Sequence, residues 1–234
     1  MVFVNVELIG YVLSNFLSVT RQHDVSARAC EFLGIPAEGT KMVTCHVGNG
    51  GSIAAVVDGK CIDTSMGLTP LEGLVMGTRA GDIDGGAITF IEKKLGLDAD
   101  GMSNLLNKQS GVAGITGGSS DMRDVENAAK SGDERAKLAQ DMYFYRIKKY
   151  IGAYAAAMGG LDVVVFTAGV GENQVSMRSE VCKGLEFLGI KFDEEKNKVR
   201  GEEAIISADD SKVKVVVIPT DEELMIATDT MNLL

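Results

Sequence analysis

The stretch Leu161-Asp162-Val163-Val164-Val165-Phe166-Thr167-Ala168-Gly169 limits the folds open to this chain more than any other. Its apolar residues are consecutive, not alternating, so a strand built from them must be covered on both faces. Sheets covered in this way are mostly parallel, with helices packed above and below. A second run, VKVVVIPT at 213–220, has the same character. Each leads into a helical pattern: ENQVSMRSEVCKGLEFLG at 172–189, closed by Gly189, and DEELMIATDTMNLL to the end, with Thr220 or Asp221 as N-cap.

Upstream, KMVTCHV (41–47), SIAAVVDG (52–59) and KCIDTSM (60–66) read as three antiparallel strands, since Asp58-Gly59 between apolar runs signals a hairpin. Helices are expected at 25–34, 87–95 and 133–158. The last carries Leu138, Met142, Tyr145, Ile147 and Ile151 at helical intervals. Residues 67–86 read as a glycine-rich loop and 98–132 as a polar segment of small residues. The order is β-β-β-α-α-β-α-β-α, an α/β domain of three antiparallel strands plus parallel strands flanked by helices, with no internal repeat.

The formal net charge of −10, with no basic stripe, excludes nucleic acid and anionic membranes as obvious partners. A phosphate ligand would need donors placed locally. Cys30, Cys45, Cys61 and Cys182 form no CxxC pair, which predicts free thiols in a reducing cytoplasm. The first 24 residues are apolar but lack the basic start of a secretory signal and the length of a membrane span.

Glycine is abundant, 28 of 234 residues, and clusters at loops where backbone must turn sharply or approach a ligand. In His46-Val47-Gly48-Asn49-Gly50-Gly51-Ser52 it makes either a strand-to-strand turn or an anion nest of N–H groups. Arg79, in Met76-Gly77-Thr78-Arg79-Ala80-Gly81-Asp82-Ile83-Asp84, is either a solvated arginine or a clamp on a phosphoryl group. Asp82 and Asp84 either hold it or begin the next helix. Gly117-Gly118-Ser119-Ser120-Asp121-Met122-Arg123 offers an N-cap, or Asp121 for a sugar hydroxyl and Arg123 for a base or ribose. Phe166-Thr167-Ala168-Gly169-Val170-Gly171-Glu172-Asn173 places a Gly-x-Gly turn at the carboxyl end of a strand, where α/β sheets bind ligands. Acids in Thr220-Asp221-Glu222-Glu223 suit a helix N-terminus, or one of them a Mg²⁺ ion.

The strings HVGNGGS, DTSMGLTPLEGLVMGTRAGDID, GGSSDMRD, VVFTAGVGEN and IPTDEELMIA together resemble the acetate kinase family, in order and without a large gap from about Val25 onward. The resemblance implies a ribonuclease H-like fold of the actin, heat-shock-chaperone and sugar-kinase group, and phosphoryl transfer between ATP and acetate with Mg²⁺. It implies that His46, Val47, Gly48, Asn49 and Gly50 contact nucleotide phosphates and that Arg79 stabilises the transition state. It assigns Asp121, Met122 and Arg123 to one adenosine wall, and Gly169, Val170, Gly171, Glu172 and Asn173 to the other. Glu222 would help to hold Mg²⁺. A cytoplasmic homodimer is the expected form.

The resemblance stops short of residues 1–24, which read as an atypical segment before a nucleotide-binding domain at 25–234. Where the family carries GFHGTSH, this chain has LSVTRQHD, with Ser18 and Gln22 at the two histidine positions. The family's N-terminal domain, with an Asn and a Lys for Mg²⁺ and ATP, a substrate-binding Arg and a catalytic Asp, has no match. A truncated gene, a misplaced start or a frameshift would explain this. Propionate and butyrate remain open as acceptors, as does a module that binds nucleotide or dimerises without turnover.

Overall fold

A computed structural model describes residues 17–220 of the chain. Its sheet has six strands: β1 (Lys41–Val47), β2 (Gly51–Val57), β3 (Lys60–Thr64), β4 (Val163–Thr167), β5 (Ala204–Ile205) and β6 (Lys214–Val217). Their order across the sheet is β3-β2-β1-β4-β6-β5. The β1, β2 and β3 strands form the expected antiparallel meander, and Asp58 and Gly59 between β2 and β3 both have positive φ (53° and 71°), as a type I′ turn requires. The β1–β4 and β4–β6 pairs are parallel.

The uninterrupted valines are explained by cover on both faces. Met42, Val56, Val163, Val165 and Val216 point to one side, where Val25, Ala29 and Cys30 of helix α1 (Leu17–Leu33) join them. Val43, Cys45, Ile53, Val164, Phe166, Val215 and Val217 point to the other and meet the long helix α6 (Glu134–Ala157) through Tyr143, Ile147 and Ile151. Successive strand residues therefore enter different cores. Each fully buried valine contributes on the order of 1.5–3 kcal/mol, so both faces contribute to the stability of the sheet.

Three further helices occupy the polar segment of small residues at 98–132, to which the sequence reading assigns no helix: α3 (Ala99–Lys108), α4 (Gly111–Thr116) and α5 (Met122–Lys130), following α2 (Gly85–Leu95). The first and last begin on side-chain caps, Asp98 accepting from the Gly101 N–H at 2.8 Å and Asp121 from the Arg123 N–H at 2.9 Å. The helix expected over 172–189 is instead broken. Helix α7 (Ala168–Asn173) gives way to α8 (Val175–Cys182) at Gln174, which is extended (φ −93°, ψ 91°). Gly189 (φ 96°) then closes a short 3₁₀ turn, Glu186–Leu188. On α6, Ile147 and Ile151 are buried as expected, but Leu138, Met142 and Tyr145 are exposed. The C-terminal helix expected from 221 lies outside the described residues.

All four cysteines are free, and burial pushes the Cys45 and Cys182 thiols well up. Among the described residues no helix is long and apolar enough to cross a membrane.

Candidate functional site

Parallel register brings three loops to one edge of the sheet. His46 of β1 lies beside Thr167 of β4, and Phe166 beside Val217 of β6. The chain segments leaving these three strands, Gly48–Gly50, α7 and 218–220, therefore emerge side by side, as the strand-end rule for α/β sheets requires.

The first segment is a three-residue hairpin turn between the paired Val47 and Gly51. The Gly48 N–H donates across it to Gly50 O at 3.0 Å, and Tyr143 Oη donates to Gly48 O at 3.0 Å. So Gly48 spends its own N–H on the turn, whereas the N–H groups of Asn49 and Gly50 donate to no described residue. The stretch is thus both a strand-to-strand turn and a loop with bare donors, two of them rather than a full nest. Residues 76–79 pack against it, with the Gly77 N–H donating to Asn49 O at 2.9 Å. A Cβ on Gly77 would sit 2.0 Å from Asn49 Oδ1. Arg79 reaches the same turn: its Nη1 would be 3.4 Å from a Cβ on Gly50.

The second segment starts with strain. Ala168 has φ 64°, a left-handed conformation that costs an alanine about 1–2 kcal/mol. Its N–H donates to Thr220 Oγ1 at 3.2 Å, and Thr220 Oγ1 also pairs with Thr167 Oγ1 at 2.8 Å. Glu172 turns toward this hydroxyl and accepts from it (3.1 Å) and from the Thr220 N–H (2.9 Å). Beneath α7 lies Arg178, fully buried. Its five N–H donors all find oxygens: Asn197 Oδ1, Asn197 O, Val199 O, and the Gly171 and Glu172 carbonyls that end α7. Burial, with Arg200 nearby, pulls its pKa down to about 10, still charged at neutral pH.

The third contributor is the start of α5. The Asp121 carboxylate caps the helix and takes the Arg123 guanidinium at 2.5 Å. Arg123's hydrogen bonds hold the Asp121 pKa at about 2. This exposed carboxylate favours the fold above its unfolded pKa, and that small contribution is lost as pH falls through about 2. Arg123→Gln is expected to return the midpoint toward 3.8, read by carboxyl carbon NMR titration.

These parts enclose a cleft of about 610 Å³. Gly48 and Asn49 line one end; Asp121, Met122 and Arg123 one wall; Gly169, Val170 and Asn173 the other. Of the other residues singled out, Val47 and Gly171 are buried behind the lining, and His46 sits half-buried on β1. Gly50 and Arg79 stand at the turn outside the lining, and Glu172 faces Thr220. Glu222 lies outside the described residues, among which no group of three or more metal-ligating side chains occurs.

Sequence reasoning missed Ser120, Glu126, Gln174 and Arg200 on the lining. Ser120 lies within the 117–123 motif, Gln174 follows Asn173 directly, and Glu126 lies one helical turn past Met122, so proximity could have found them. Arg200 carried no signal; it reaches the cleft by donating to Asn173 O at 2.5 Å. Burial raises the Glu126 pKa, but Lys130 and Ser176 outweigh it and hold the carboxyl below its usual range.

The acetokinase family model matches residues 18–228, beginning upstream of Val25. A curated acetate kinase of Bacteroides fragilis is 72% identical over 215 residues, 92% of this chain and 54% of that protein. Two crystal structures superpose over 92% of the chain. One is an acetate kinase of Porphyromonas gingivalis (58% identity, TM-score 0.88, 53% of that chain), the other a propionate kinase of Francisella tularensis (44%, 0.84, 54%). The chain thus spans about half the length of the curated relatives it matches.

Proposed function

The chain belongs to the acetokinase family, and from that premise we propose that it is the nucleotide-holding half of a phosphotransferase acting between ATP and acetate. One observation carries the reading: residues far apart in sequence, Gly48 and Asn49, Asp121 to Arg123, and Gly169, Val170 and Asn173, meet in a single cleft at the carboxyl edge of the sheet. Adenosine would lie between the start of α5 and the Gly169–Asn173 wall. Its phosphates would extend to the bare N–H groups of Asn49 and Gly50, with Arg79 beside them.

This division suits phosphoryl transfer, which depends on positioning and charge stabilisation more than on covalent steps. A single carboxylate plus phosphate oxygens suits Mg²⁺, and Glu222, two residues beyond the anchored Thr220, would supply it. Bound there, Mg²⁺ would neutralise phosphate charge. We further propose a cytoplasmic homodimer.

Calorimetry of the 234-residue chain with ADP is expected to give a dissociation constant on the order of micromolar, about −8 kcal/mol. No heat at millimolar ADP would sink the reading. A second reading, transfer to propionate, is favoured by the 44% identity to the Francisella protein named as a propionate kinase.

A further inference from the structure

Helix α6 touches both loops at the phosphate end of the cleft with one face. Tyr143, Arg146 and Tyr150 are spaced i, i+3, i+7, so they project from the same side of the helix. Tyr143 Oη donates to Gly48 O at 3.0 Å. Arg146 Nη1 donates to Asp82 Oδ2 at 2.6 Å, and Tyr150 Oη donates to both Asp82 oxygens at 3.0 and 3.1 Å.

Asp82 is the clasp of the loop that carries Arg79. Its N–H donates to Gly73 O at 3.0 Å, and its Oδ1 accepts from the Gly73 N–H at 2.9 Å, which closes the loop at its base. At the tip, the Met76 N–H donates to Arg79 O at 3.1 Å, and the Gly77 N–H donates to Asn49 O. The circuit is therefore complete: helix to Gly48, turn to loop tip, loop base to Asp82, Asp82 back to helix. The Arg79 guanidinium itself is held loosely, with Pro70 O at 3.4 Å and Met76 Sδ at 3.6 Å. What sets its distance from the turn is the circuit, not its own contacts.

We propose that Tyr143, Arg146 and Tyr150 are positioning residues that, through Gly48 and Asp82, fix Arg79 against the Gly48–Gly50 turn and so set the affinity of the cleft for phosphate groups. The proposal rests on the nucleotide reading above. A purely structural staple would affect adenosine and ATP alike, whereas a positioning role touches only the part of the affinity that comes from phosphate.

The test is calorimetry of the full chain with adenosine and with ATP. The unmodified chain is expected to bind ATP at least about tenfold more tightly than adenosine. Arg146→Met is expected to remove most of that ratio and leave adenosine affinity unchanged. Tyr150→Phe, nearly isosteric and safe for folding, is expected to lower the ratio by about threefold, and Arg146→Lys to recover part of the loss. If both ligands weaken equally, or if the ratio survives Tyr150→Phe and Arg146→Met, the helix is a staple only and the proposal falls. If Arg146→Met does not fold, Tyr150→Phe decides alone. Equal binding of adenosine and ATP by the unmodified chain would instead refute the phosphate reading, and this proposal with it.

Discussion

Arg178→Met is expected to destabilise the chain by about 4 kcal/mol and to weaken adenosine, ADP and ATP together. The substitution keeps much of the side-chain volume but removes five donors at once. The carbonyls of Gly171, Glu172, Asn197 and Val199 and the Asn197 amide oxygen would lose their hydrogen bonds to Arg178. Each buried acceptor left unmade costs about 1–3 kcal/mol, against which the release of a desolvated charge recovers part. The Gly171 and Glu172 carbonyls end α7, whose turn forms one wall of the cleft, so the nucleoside part of the affinity should go with the stability. Urea unfolding read by circular dichroism gives the first quantity and calorimetry the second. A midpoint within error of the parent would show that these carbonyls find other partners.

Gly81→Ala is expected to cost about 3 kcal/mol or more, with a different signature. Gly81 has φ 74°, which alone costs an alanine about 1–2 kcal/mol. A Cβ there would also lie 2.3 Å from Leu74 O and 2.7 Å from Gly73 O, both backbone atoms that cannot swing aside. Relief requires the 73–82 loop to open, and Arg79 is carried on that loop. Adenosine should then bind nearly as before while ATP loses its advantage over it. Equal loss of both would place the strain in the shared core instead of the loop.

Much of the architecture was legible because it follows from simple periodicities. Val163–Phe166 could only be a strand covered twice, and Asp58-Gly59 could only be a tight turn. The lining of the candidate cleft was legible where glycine turns leave strand ends, as at 48–49 and 169–170. What escaped was tertiary in origin. Helices α3 to α5 are short and rich in small residues; α3 and α5 carry apolar stripes, Met102 with Leu106 and Met122 with Val125, but each stripe is only about one turn long and is easily lost among the glycines, serines and charged residues around it. Nothing in the sequence singles out Arg178 within the 172–189 segment; only the folded loops around it supply the oxygens that hold it inside. Leu138, Met142 and Tyr145 kept helical spacing while facing outward, because spacing identifies a stripe and not what covers it.

The pairing of β1 with β4 also dictates when the cleft can come into being. Lys41 N–H donates to Asp162 Oδ2 across 121 residues of chain, and the strands that follow these two residues carry the turn and the α7 wall. Closing so long a loop is entropically costly, so the ladder is expected to form after the local hairpin and the individual helices. No partly folded intermediate lacking that ladder can place Asn49 beside Gly169. On the nucleotide-binding reading proposed above, ligand capture would therefore report completed topology: during refolding, the appearance of ligand affinity should lag behind helix formation and coincide with the last step of sheet assembly.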